Sequence, residues 1–66
     1  MNQVLLEEKM ESSGLKYNYI ADQLGISPQG FIKKRKGQIP FTVREVGLMK
    51  TLLGLTNSER DKIFFE

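Results

Sequence analysis

The sequence predicts an all-α protein, a compact bundle of five short helices. Four glycines each follow a stretch of helical spacing: Gly14, Gly25, Gly37 and Gly54. Glycine is favoured where a helix ends, because it adopts left-handed backbone angles without a Cβ clash. Apolar and polar residues nowhere alternate with a period of two between turn dipeptides, as they would in a hairpin. We therefore expect five helices and no sheet, in a single domain that spans residues 1–66.

Apolar spacing predicts the first two helices. In residues 2–13, Leu6 and Met10 are four positions apart and share one helical face. The second helix is expected to begin at Lys16 or Tyr17 and to end at Leu24. Its apolar residues fall on one stripe: Ile20, Ala21 and Leu24.

The other three helices are predicted from the residues that begin them. Ser27 suits an N-cap and Pro28 suits the first helical position, so a third helix should run to Lys36. Two capping boxes, each a threonine followed three residues later by a glutamate, begin the fourth and fifth helices: Thr42 with Glu45, and Thr56 with Glu59. The fourth helix should present an apolar stripe: Val43, Val46 and Leu53, with Met49 and Leu52 nearby.

Composition excludes several functional classes. The chain has no Cys and no His, which rules out disulfides, thiol nucleophiles and imidazole catalysis and argues against zinc. No spacing of the remaining polar groups supports a nucleophile, a base and an orienting group together. We expect a protein that is not an enzyme, with no cofactor, no metal and no small-molecule substrate. With no targeting segment and no membrane span predicted, a cytoplasmic protein of a bacterium or a phage-infected host is expected.

The charge of the chain is concentrated in its middle third. The formal net charge is only +2, but residues 15–40 carry five basic groups and one acidic group. Residues 1–14 are net acidic, and residues 41–66 carry four charges of each sign. A basic segment between neutral or acidic flanks is expected when one face meets a polyanion, and nucleic acid is the first candidate.

Residues 17–37, YNYIADQLGISPQGFIKKRKG, have the pattern of a helix-turn-helix. Ala21 leaves room for the next helix, Gly25 allows a sharp turn, and Ile26 fills the gap between the helices. Phe31 would anchor the second of these helices to the core. With these residues in this spacing, the chain resembles the Cro and phage-repressor (XRE-type) family over essentially its whole length. The resemblance implies a lambda-repressor-like DNA-binding fold with the helix-turn-helix in the second and third helices.

The resemblance also implies which residues contact DNA. Base reading falls to the start of the third helix and one residue a turn further on: Ser27, Pro28, Gln29, Gly30 and Lys33. Gln29 suits adenine and Lys33 suits guanine. Phosphate contacts are implied for five residues: Lys16, Tyr17, Lys34, Lys36 and Gln38. Arg35 is instead expected to pair with an acidic residue of the first helix.

One position departs from the family pattern. Lys34 stands where the pattern usually has Trp, Leu or Ile on the inner side of the third helix. We expect Ile32 or Ile39 to fill that space.

The expected function is that of a sequence-specific regulator of transcription that binds double-stranded DNA. A phage or prophage Cro-like repressor would block polymerase at a palindromic operator. Three consecutive apolar residues, Ile63, Phe64 and Phe65, cannot all face one core and predict a homodimer interface, at least on DNA. Two alternatives stay open: an antitoxin-type autoregulator, and a protein-interaction module that binds another regulator through its Phe-rich C-terminal end.

Overall fold

The computed structural model describes all 66 residues and contains five α-helices and no strand. They are α1 (Gln3–Ser13), α2 (Tyr17–Leu24), α3 (Pro28–Arg35), α4 (Val43–Leu53) and α5 (Asn57–Phe64). The all-α prediction is confirmed, and the predicted ends of the first four helices lie within one residue of the observed ends. None of the five helices combines the length and apolarity that a membrane-crossing helix needs.

Both predicted capping boxes are present. The Thr42 hydroxyl accepts a hydrogen bond from the Glu45 N–H at 3.1 Å, and the Glu45 carboxylate accepts one from the Thr42 N–H at 2.9 Å. Thr56 and Glu59 make the same two hydrogen bonds at 3.1 and 2.9 Å. Each box satisfies backbone donors that the first turn of a helix leaves free, so local sequence fixes where α4 and α5 begin.

All five helices contribute to one core. Ten apolar residues are buried: Leu6, Met10, Ile20, Ala21, Leu24, Phe31, Val46, Met49, Leu55 and Ile63. The prediction that Val43 belongs to this core was wrong, because its side chain is 85% exposed. The inward face of α4 is centred instead on Glu45, Val46 and Met49, which leaves the first residue of the helix in solvent.

A row of aromatic rings crosses the molecule beside α3. The ring of Phe31 lies 6.4 Å from that of Tyr17 and 6.3 Å from that of Phe41, and Phe41 lies 5.5 Å from Phe64. These centroid separations are typical of favourable tilted and edge-to-face pairs. The row joins α2 and α3 to the α3–α4 loop and to α5, so it holds α3 against the rest of the bundle.

Candidate nucleic-acid interface

A link of three residues, 25–27, joins α2 to α3. Gly25 adopts a left-handed φ of +73°, which a residue with a Cβ rarely takes. The N–H of Ile26 then donates to the carbonyl of Ala21 at 3.1 Å, and the Ile26 side chain packs against the core. Ser27 begins α3 by accepting the Gly30 N–H at 3.0 Å, and Pro28 occupies the first helical position as predicted.

The outward face of α3 carries polar and basic side chains. Phe31 is the one buried residue of this helix. Gln29, Lys33 and Lys36 follow one another by about one turn, so they share the face opposite Phe31. All three are exposed, and neither lysine forms an ion pair. Ser27 and Pro28 are exposed at the start of the same helix.

Lys34 lies on the inner side of α3 and binds Glu45 of α4. Its ammonium group donates to both carboxylate oxygens, at 2.5 and 2.6 Å, and the two side chains are only 13% and 5% exposed. Neither Ile32 nor Ile39 fills the inner position, since they are 43% and 42% exposed. Lys34 is therefore withdrawn from the predicted phosphate-contacting set, because its charge is already neutralised inside the protein.

The Glu45 carboxyl stays ionised in this pair. Burial raises its pKa, but hydrogen bonds from Lys34 and from the Thr42 backbone outweigh burial and hold the pKa below its usual value. One carboxylate thus caps α4 and ties α4 to α3.

A second cluster ties α3 to α1 and α2. The Arg35 guanidinium donates to both Glu7 oxygens at 3.1 Å, and its central carbon lies 3.8 Å from the centre of the Tyr17 ring. The Tyr17 hydroxyl donates to the same carboxylate at 3.0 Å. The predicted pairing of Arg35 with an acidic residue of the first helix is confirmed.

Tyr17 is also withdrawn from the phosphate-contacting set. A phenol has one proton to donate, and Glu7 accepts it. This hydrogen bond, together with burial, raises the pKa of Tyr17 above its usual value. The side chain therefore positions α3 through Glu7 and Arg35 rather than offering a free donor to DNA.

The remaining predicted phosphate contacts are available at the surface. Lys16, Lys36 and Gln38 are exposed, and Lys16 precedes a first turn of α2 that has no acidic residue and no side-chain cap. The backbone N–H groups of that turn are free to face an anion. The carbonyl of Lys36 accepts a hydrogen bond from the Gln3 side chain at 2.9 Å, which fixes the end of α3 on the start of α1.

Sequence reasoning gave no role to Arg44, although it lies beside the α2–α3 link. Its guanidinium donates to the carbonyl of Leu24 at 3.1 Å and lies 3.9 Å from the place where a Cβ on Gly25 would be. Arg44 forms no ion pair and remains exposed. Only tertiary packing brings the first turn of α4 to this link, so no local pattern could reveal it.

The predicted dimer contacts divide between the core and the surface. Ile63 is fully buried and is withdrawn from the predicted interface, because a core side chain cannot contact a second subunit. Phe64 is partly buried against Phe41. Phe65 is 61% exposed and remains the candidate contact.

Comparison with known proteins supplies no relative. No protein-family model, curated protein or solved structure matches this chain. The functional assignment therefore depends on the charges and geometry of the chain itself.

Proposed function

We propose that this protein is a sequence-specific double-stranded DNA-binding regulator of transcription, of the Cro and phage-repressor type. In this proposal α2 and α3 form a helix-turn-helix, and α3 enters the major groove. The observation that carries the proposal is the outward face of α3, where Gln29, Lys33 and Lys36 are exposed. On the inward side, Lys34 and Arg35 form ion pairs that fix the helix to its neighbours. Such a face offers hydrogen-bond donors and positive charge to a polyanion from a rigid helix.

Base reading is assigned to the start of α3 and to Lys33, one turn further on. Gln29 pairs with adenine through N6 and N7, and Lys33 donates to guanine O6 and N7. Ser27 and Pro28 lie at the helix start, where Pro28 offers an apolar contact to a thymine methyl group. Gly30 leaves the helix surface open for a close approach. A Cβ there would also lie only 3.2 Å from the Ser27 hydroxyl that caps the helix.

Phosphate contacts flank this reading surface. Lys16 lies at the start of α2, and Lys36 and Gln38 follow the end of α3. Arg44, beside the α2–α3 link, joins them in the proposal. Each neutralised phosphate releases counterions, so affinity should fall with salt with a slope near −0.9 per contact.

Two subunits would occupy a palindromic operator together. A two-fold pair sets its recognition helices about 34 Å apart, one turn of B-DNA. Phe65 supplies the exposed apolar contact between subunits. Binding alone would block polymerase, so repression requires no chemistry.

Selection of bound sites from a pool of random duplexes tests this function. The expected result is an enriched palindrome with half-sites about 10 base pairs apart. In the matched experiment with Gln29→Ala, preference should relax at one position of each half-site and persist elsewhere. An unenriched pool, or binding that hardly changes with salt, would overturn the proposal.

A further inference from the structure

A half-open groove of about 400 Å³ lies between the start of α1, the α3–α4 loop and the end of α5. Six of the eleven residues that line it are hydrophobic: Met1, Ile39, Phe41, Val46, Phe64 and Phe65. Its volume is within the range of about 300–1,000 Å³ that is typical of ligand sites in proteins. The base-reading residues Gln29 and Lys33 do not line it.

The charged side chains of the groove are all positive. Lys34 and Lys36 line it, and no acidic residue does. Glu45 already neutralises Lys34, whereas Lys36 has no anionic partner. The backbone N–H of Phe41 also lacks an acceptor within the protein. A ligand that is complementary to this lining therefore has an apolar group next to a carboxylate.

Large apolar side chains remain uncovered around the groove. Phe65 is 61% exposed, Ile39 is 42% exposed and Met1 is 41% exposed. All three line the groove, and exposed apolar side chains grouped in this way are typical of protein–protein interaction sites.

We propose that this groove is a docking site for a segment of a partner protein that presents a large apolar side chain next to an aspartate or glutamate. The apolar side chain lies among Ile39, Phe41 and Phe65, and the carboxylate binds Lys36. Apolar burial supplies most of the affinity, and the charge pair sets the orientation of the segment.

A second copy of this chain is a poorer occupant. Its only adjoining pair of an exposed large apolar residue and an acid at this end is Phe65 with Glu66. Phe65 itself lines the groove. If Phe65 of one copy entered the groove of a second copy, its own groove would lose one wall. The complementary segment therefore belongs to a different protein.

Docking here would antagonise DNA binding, a consequence that rests on the proposed function. The partner's carboxylate would occupy Lys36, a proposed phosphate contact, and its apolar side chain would cover Phe65, the proposed contact between subunits. The groove thus gives a partner protein a way to release the regulator from DNA.

Selection from a displayed random peptide library on the immobilised protein, without DNA, tests the docking site. The expected peptides carry Phe, Leu or Trp next to Asp or Glu. A selected peptide should bind Phe65→Ser and Ile39→Ser about tenfold or more weakly. Val43→Ser is the matched control, because it removes an exposed apolar side chain outside the groove and should leave affinity unchanged.

The charge requirement is tested with the same peptide. Replacing its acidic residue by the amide should weaken binding to the parent protein and not to Lys36→Gln. No enrichment, enrichment without acidic residues, or unchanged affinity for Phe65→Ser and Ile39→Ser would overturn the proposal. A dimer in solution that Phe65→Ser dissociates but that an excess of the peptide does not would show that a second copy fills the groove.

The docking proposal and the DNA-binding proposal are tested independently of each other. Peptide binding is measured without DNA, so its absence leaves the DNA-binding proposal standing. Conversely, a protein that binds such peptides but selects no DNA sequence retains the docking site alone. If both hold, adding the peptide should release the protein from its selected duplex.

Discussion

Basic residues lie on both sides of α3, but only those on the inner side form ion pairs. Lys33 and Lys36 are exposed without an anionic partner, whereas Lys34 and Arg35 each bind a glutamate of another helix. Consecutive helical residues point about 100° apart, so a basic run cannot form one uniform surface. The positions of the surrounding glutamates determine which basic side chains fix the helix and which stay unpaired at the surface.

Removing the partner of the inner lysine should have the largest effect on stability. Glu45→Ala leaves the Lys34 charge largely buried and also breaks a capping box, so we expect a loss of about 3–5 kcal/mol in the free energy of unfolding. Urea denaturation measures it. On the outer side, Lys33→Ala should change stability by no more than about 0.5 kcal/mol. Equal losses for both variants would contradict the division of α3 into an inner and an outer side.

Removing an outer side chain that is proposed to read a base should affect DNA binding instead. Gln29→Ala is expected to weaken binding to the selected operator by about 1–3 kcal/mol, since it would lose the proposed bidentate contact with a base. Fluorescence anisotropy on the selected duplex and on a scrambled duplex measures this. Affinity for the scrambled duplex should stay unchanged, and an equal loss on both would show that Gln29 does not read sequence.

Tyr17→Phe distinguishes a positioning role from a phosphate contact. The variant loses the hydrogen bond to Glu7, which should cost about 1 kcal/mol of stability. The slope of log affinity against log salt should stay as in the parent. A shallower slope with unchanged stability would return Tyr17 to the phosphate-contacting set.

The smallest effect is expected in the acid stability of α5. The hydrogen bond from Lys9, followed by that from the Thr56 backbone, lowers the pKa of Glu59 from 4.5 to about 2. A lowered pKa stabilises the fold above the unfolded value, and this contribution is lost as pH falls through the folded value.

Lys9→Met should therefore reduce the melting temperature most above pH 5, and the difference from the parent should shrink as pH falls and disappear below about pH 2. Thermal melts across this range measure it. Lys62→Met is the control, because Lys62 is exposed and in no ion pair. A difference that does not vary with pH would show that the pair with Glu59 is not its cause.

Local signals predicted the helices well, because caps and helix-ending glycines act within a few residues. The exposure of Gln29 and Lys33 also followed from the short link and the helical period. The structural roles of Lys34 and Tyr17 were not predicted, because their carboxylate partners lie 11 and 10 residues away on other helices. Glu45 was recognised only as a cap, although it also binds Lys34. The groove was not predictable either, since folding assembles its walls from both ends of the chain and the α3–α4 loop.

The most direct test of the central claim compares two double charge reversals on a short duplex by fluorescence anisotropy. Lys33→Glu with Lys36→Glu changes the outer face of α3, and Lys50→Glu with Lys62→Glu makes the same change of net charge on α4 and α5. We predict that the parent protein binds, that the first variant loses binding with an unchanged melting temperature, and that the second retains binding. Failure of the parent to bind, or equal losses in both variants, would contradict DNA binding by the outer face of α3.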